Sequence, residues 1–203
     1  MRTRLPLTLL AATTLALVTA CSPATSPGQA ASPAAPPSAS APVATQDDAV
    51  LAALGLDGLT GAQIVERLDA SPEARPLAMT ASVREDAVLV GDGTTEVAVP
   101  LEDGRFYVSI APYVSGTHEC YFHSLATCQG ELAGEDVEVT ITASDGTVLV
   151  DEAATTYANG FVGFWLPEDV EGTIEVRQGE LAGSVPFSTT PGSPTCVTTL
   201  KMA

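Results

Sequence analysis

The chain has 203 residues with 25 acidic against 8 basic side chains, a net charge of −17 and a sequence pI near 4.1. That balance excludes nucleic acid as a partner and argues against adsorption to anionic membrane surfaces, since both need patches rich in Lys and Arg. With 45% hydrophobic residues the chain can bury a core, yet it holds only four cysteines and two histidines as soft metal donors.

The N-terminus reads as an export signal. Arg2 and Arg4 precede an apolar run from Leu5 to Val18, which is too short for a comfortable membrane span. The run closes as Leu17-Val18-Thr19-Ala20-Cys21 and resembles a bacterial lipobox, in which the cysteine is lipidated and becomes the mature N-terminus. Residues 1–20 are therefore expected to be a lipoprotein signal peptide and Cys21 the lipidated residue, with cleavage as an ordinary secretory signal the alternative. The expected location is extracytoplasmic, with the protein held on the membrane by its lipid. Residues 21–46 are dominated by Pro, Ala, Ser and Thr and carry no charge, which predicts an unfolded tether. Its mean reach as a coil is roughly 25–30 Å, and about 75 Å if it is polyproline-like.

Residues 47–203 are expected to form the folded part, as one domain or as subdomains over 47–104 and 105–203. Asp47 to Leu54 predicts a short helix. Thr60-Gly61-Ala62-Gln63 is a capping box, Ile64, Val65 and Leu68 follow at helical spacing, and Ser71-Pro72 ends the helix near Ala70. Thereafter the pattern is β. Ala87–Val90 and Glu96–Val99 flank Gly91-Asp92-Gly93 as a hairpin, and Arg105 to Val114 reads as one buried strand. Val137–Ala143 alternates in polarity, and Asp145-Gly146 turns it into Val148–Val150. Phe161–Leu166, Thr173–Val176, Val185–Ser188 and Cys196–Leu200 predict further strands. The expected fold is α+β and mostly β, a small N-terminal helical part followed by an antiparallel sheet domain that carries the Cys/His site. There is no internal repeat, no nucleotide-binding glycine loop and no Gly-x-Ser-x-Gly.

The densest chemistry lies in Thr117-His118-Glu119-Cys120-Tyr121-Phe122-His123-Ser124-Leu125-Ala126-Thr127-Cys128, which holds both histidines and two of the cysteines. Were 114–120 a strand, His118 and Cys120 would share a face, and His123 would approach Cys120 through a turn, placing that sulfur between two imidazoles. Cys128 comes within reach if the loop folds back, and Cys196 must arrive from a distant strand. Three thiolates with one or two imidazoles suit Cu(I) best and also Zn(II). With Cys21 assigned to lipid, an odd count of three remains, which in an oxidising compartment means a disulfide plus a free thiol or a metal site. A Cys120–Cys196 bond would close a loop of about 76 residues, worth about 4 kcal/mol in the chain-entropy model, whereas Cys120–Cys128 would clip a short one. Both readings hold together if two thiols reduce two Cu(II) ions, so the same cysteines are candidate redox-active thiols. Trp165, in Asn159 to Pro167, is read first as core and second as a wall shielding the thiols. Tyr107, Tyr113, Tyr121 and Phe122 are read as core, and Met79 and Met202 are assigned no role.

The stretch from Ser109-Ile110-Ala111-Pro112-Tyr113 through His118-Glu119-Cys120-Tyr121-Phe122-His123 to Cys128-Gln129-Gly130-Glu131-Leu132 resembles the signature of the CueP family of bacterial cell-envelope copper-binding proteins. Gly58-Leu59 through Leu68-Asp69, Asn159 to Pro167 and Pro194-Thr195-Cys196-Val197-Thr198-Thr199-Leu200 match its pattern as well. The resemblance implies copper as the bound metal, with the family's cysteines falling on Cys120, Cys128 and Cys196 and its histidines on His118 and His123. It further implies copper tolerance by sequestration, supply of copper to a Cu,Zn superoxide dismutase in some members, and reduction of Cu(II) or Fe(III). Catalytic turnover as a reductase would require a thiol-disulfide reductase as partner. Better-known members are soluble in a periplasm, and the lipid anchor expected here departs from that. The sequence leaves the oligomeric state open, a homodimer included, and leaves a metal-free disulfide module as the remaining alternative.

Overall fold

The computed structural model describes residues 45–102 and 104–203; the leader, Cys21 and nearly all of the expected tether lie outside the described residues. Two short helices open the fold, α1 (Gln46–Ala53) and α2 (Gly61–Asp69), each started by a complete capping box. In α2 the Thr60 hydroxyl accepts from the Gln63 amide at 3.3 Å while the Gln63 side chain accepts from the Thr60 amide at 3.0 Å, as the sequence predicts. At its other end the Arg75 guanidinium donates to the Leu68 carbonyl at 2.8 Å, putting a cation on the negative pole of the helix. Ile64, Val65 and Leu68 are buried, and so is Asp69, one turn beyond Val65 on the same face.

The helices pack on a meander of β1 (Thr80–Val83), β2 (Ala87–Gly91) and β3 (Glu96–Pro100). The β2–β3 hairpin is the expected one. β1 is an addition, a four-residue strand with no clear pattern of its own that gains its ladder from β2. Ile64, Val65, Leu68, Val83, Val88, Val90 and Leu125 form the core of this part.

The remaining strands are β4 (Arg105–Ile110), β5 (Asp136–Ala143), β6 (Val148–Thr155), β7 (Val162–Pro167), β8 (Glu171–Gln178), β9 (Leu181–Ser188) and β10 (Cys196–Val197). β4 lies between β7, antiparallel, and β10, parallel, while the other sheet runs β6-β5-β8-β9 with antiparallel pairing throughout. Phe106, Val108 and Ile110 of β4 share a core with Val139, Ile141, Phe164, Ile174, Val176 and Leu200. Tyr107 points the other way, into the helical core, so β4 is buried on both faces, and that is why it reads as a continuous apolar run.

The fold is α+β and mostly β, with two helices and ten strands among the described residues. Several strands run longer than expected, β6 to Thr155, β8 over Glu171–Gln178 and β9 from Leu181, and two end early. β4 stops at Ile110 rather than Val114, because Pro112 has no N–H to give a ladder. The C-terminal ladder covers only Cys196–Val197, after which single bonds continue it, Tyr113 N–H to the Leu200 carbonyl and Met202 N–H to the Tyr113 carbonyl. Among the described residues no helix is long and apolar enough to cross a membrane.

Because the α2 cap is complete and local, Thr60→Ala is expected to cost about 1 kcal/mol, seen as a lower urea midpoint with unchanged m-value, while Thr60→Ser stays near wild type.

Candidate metal centre

The site is built outward from one carboxylate. Asp69 at the end of α2 is fully buried, and a buried charge is tolerated only when it is compensated and hydrogen-bonded. One of its oxygens accepts from the Tyr107 hydroxyl at 2.7 Å and the Ser109 hydroxyl at 3.1 Å; the other accepts from the Asn159 amide at 2.7 Å and faces His123 Nε2 at 2.9 Å. Tyr107 and Ser109 are the alternate positions of β4 that turn away from the sheet sandwich. The Tyr107 ring has room because Gly163 lies across the β4–β7 ladder, where a Cβ would overlap the Tyr107 hydroxyl.

Burial acts to raise the Asp69 pKa, but the charge of His123 and the bonds from His123, Tyr107 and Asn159 outweigh it and hold the carboxyl below its ordinary range. Burial likewise acts against the charged form of His123, and the Asp69 charge and hydrogen bond, aided by the Cys120 and Cys128 sulfurs, overcome it and push its pKa well above the usual value. Burial and the Asp69 charge keep Tyr107 protonated as a donor.

With Nε2 committed to Asp69, Nδ1 of His123 faces the sulfurs, 3.7 Å from Cys196 Sγ. All three cysteines are free thiols, and Cys120 Sγ lies 3.5 Å from Cys128 Sγ, a non-bonded contact rather than a disulfide. The side chains form two overlapping triads. His118, Cys120 and Cys128 make one and His123, Cys128 and Cys196 the other, with the donor atoms of each triad within 4.8 Å of one another. The sulfur between the two imidazoles is thus Cys128, not Cys120 as a strand through 114–120 would have it. Contacts from the Cys120 and Cys196 sulfurs, then His123, hold the Cys128 thiol far below its usual pKa against the effect of burial. The Cys120 and Cys128 sulfurs, with burial added, push Cys196 far up, so the Cys128 sulfur is the favoured thiolate of that pair.

Residues 114–120 form no strand; they are a loop fixed from three sides. The Glu131 carboxylate accepts the backbone N–H groups of Val114, Ser115 and Gly116 at 2.7, 2.9 and 3.3 Å, which hold it below its ordinary pKa. The Thr195 hydroxyl accepts from the His123 amide and donates to the Val83 carbonyl, both at 2.9 Å, clamping the loop between β1 and β10. Leu125 and Ala126 anchor it in the helical core. Beyond Cys128, Gly130 N–H donates to the Asn159 carbonyl, and a Cβ on Gly130 would stand 2.5 Å from the Gly160 carbonyl oxygen, so only glycine permits this approach.

The aromatic wall of the site is Phe161, packed with Ala111, Cys128 and Cys196 and lying 4.5 Å, centroid to centroid, from the His123 ring. Trp165 is elsewhere, against Tyr107 at 4.8 Å with its N–H donated to Glu66. Of the aromatics read as core, Tyr121 is instead 53% exposed. Met202 is core and Met79 is packed at the edge of the helical one. Sequence reasoning missed Asp69, Tyr107, Ser109 and Asn159 as parts of the site. The one available signal was a charged residue one helical turn past Val65 on an apolar stripe.

The donors of both triads are soft and borderline, sulfur and imidazole; the Asp69 carboxylate is turned to the far side of His123, and Glu119 lines the recess beside His118 and Cys120 without belonging to either triad. That set fits Cu(I) and also Zn(II) and is ill suited to Mg²⁺ or Ca²⁺. Two thiols in contact are also a two-electron donor.

Comparison with known proteins agrees with this chemistry. A family model described as "Periplasmic copper-binding protein CueP" matches residues 63–201. The crystal structure of S.CueP superposes with a TM-score of 0.77 at 40% sequence identity, covering 80% of this chain and 100% of that one. No curated protein matches.

Removal of the Asp69 carboxylate leaves four donors buried without a partner, the Tyr107 and Ser109 hydroxyls, the Asn159 amide and the His123 ring N–H, and takes away the charge that keeps His123 protonated against burial. Asp69→Ala is expected to destabilise by about 3–5 kcal/mol, and Asp69→Asn, which keeps the shape and one acceptor, by less. Denaturant titration of both variants measures the difference.

Proposed function

This chain belongs to the CueP family of periplasmic copper-binding proteins, and from that premise we propose that it sequesters Cu(I) outside the cytoplasm through Cys120, Cys128 and Cys196, with His118 and His123 as ligands or as groups that hold the thiolates. The observation that carries the reading is the convergence of three free thiols and two imidazoles on Cys128. In this reading sequestration lowers copper toxicity, and the bound ion is available for supply to a Cu,Zn superoxide dismutase. Residues 1–20 act as the leader, Cys21 carries the lipid, 21–46 form the tether and 47–203 the copper-binding domain. Such a tether would keep the domain within a fixed radius of the membrane, so a client would have to come to it.

In an anaerobic competition with a chromophoric chelator, the reduced protein is expected to take Cu(I). Replacement of all three cysteines by Ser is expected to abolish that uptake, and equal binding by the triple variant would overturn the proposal. Zn(II) titrated in the same assay is expected to compete weakly, because three thiolates favour the softer ion.

The 3.5 Å contact between Cys120 and Cys128 favours a second activity, reduction of Cu(II). Two thiols would lose two electrons and two protons and form one disulfide, while two Cu(II) become two Cu(I). Addition of Cu(II) without oxygen is expected to consume about two thiols per chain and to give a Cys120–Cys128 peptide pair by mass spectrometry. Unchanged thiol counts would rule this activity out.

A further inference from the structure

The two triads differ in surroundings. His123, Cys128 and Cys196 are 0%, 7% and 3% exposed, and the His123 ring is fixed by Asp69 and Phe161. Cys120 retains some exposure and, with His118, lines an open recess of about 320 Å³ beside Tyr113, Thr117 and Thr198. Cys120 also faces a second recess of about 660 Å³, whose walls include Phe187 and Cys196. One triad thus carries two side chains open to solvent, His118 and Cys120, whereas the other is almost fully enclosed and borders solvent only where Cys196 lines the larger recess. The two triads have Cys128 in common.

We propose that these are two successive stations for one ion, an outer one (His118, Cys120, Cys128) that admits Cu(I) and gives it up, and an inner one (His123, Cys128, Cys196) where it rests. The proposal rests on the copper-binding reading above and assigns the order in which its residues act. Cu(I) exchanges ligands by association, a new donor bonding before an old one leaves. A sulfur common to both stations lets the ion move without ever being free. In the move inward, the bonds to the His118 nitrogen and Cys120 sulfur break and bonds to Cys196 sulfur and His123 Nδ1 form. The protons displaced from Cys196 and Nδ1 pass to the vacated Cys120 sulfur and His118 ring. No electron is transferred, and Cu(I) remains Cu(I). Removal of the ion by an acceptor runs the same steps in reverse.

The two stations make different kinetic demands, which stopped-flow transfer of Cu(I) to and from a chromophoric chelator can separate from equilibrium competition. His118→Ala is expected to slow both loading and unloading several-fold and to weaken equilibrium affinity much less than it slows transfer. His123→Ala is expected to do the opposite, weakening affinity by about 10- to 100-fold mainly through faster unloading. Should His123→Ala fail to fold, Cys196→Ser tests the same station. A His118→Ala protein that loads at the wild-type rate, or that loses as much affinity as the inner-station variants, overturns the two-station order. Wild-type protein that takes no Cu(I) overturns the copper-binding reading itself, and the two failures are thereby distinct.

Discussion

A single buried carboxylate organises this domain. Asp69 is charged and fully enclosed, and its neighbours are those needed to make that tolerable: two hydroxyls from β4, an amide from the turn before β7 and an imidazole from the cysteine loop. The four donors come from three separate segments, so satisfying one carboxylate fixes the end of α2 against β4, β4 against the loop, and the loop against the turn at Asn159. It also decides which nitrogen of His123 is turned toward sulfur. Helical part and sheet part share this network, and the sulfur cluster is its outermost layer.

The charge distribution follows from the same pair. Asp69 and His123 offset one another where neither would be stable alone. The Cys120 and Cys196 sulfurs do most to favour a thiolate at Cys128, and the His123 charge, with its counter-ion set behind it, adds to them inside a protein whose net charge is −17. An imidazolium without Asp69 would lose its charge to burial, and a carboxylate facing the sulfurs would repel the thiolate.

What was legible in the sequence was what is local or rare. The capping box at Thr60 and Gln63 and the Asp145-Gly146 turn involve contacts between near neighbours, and both formed as expected. The soft donors stood out because the chain has so few of them. Asp69 did not stand out. A carboxylate at the end of a short helix is ordinarily solvated, and its partners lie 38, 40, 54 and 90 residues away. The same limit applies to β1, which depends on its neighbour for its ladder, and to Trp165 and Phe161, two apolar aromatics of one strand region that only the packing tells apart. The run after Ile110 kept its apolar pattern past Pro112, and a missing N–H, not a change in hydropathy, ended the ladder.

The parallel pairing of Cys196 with Ser109 has a consequence for biogenesis. Parallel neighbours need a long connection, and here the connection includes β5 through β9. Contacts so distant in sequence form late, after the intervening sheet has been synthesised and folded. As the chain is made, His118, Cys120 and Cys128 are present as a short local segment well before Cys196 arrives to complete the sulfur set. Chain order therefore leaves the pocket unfinished until nearly the whole domain is available to fold, and the sulfur set is the last part of the sheet to be brought together.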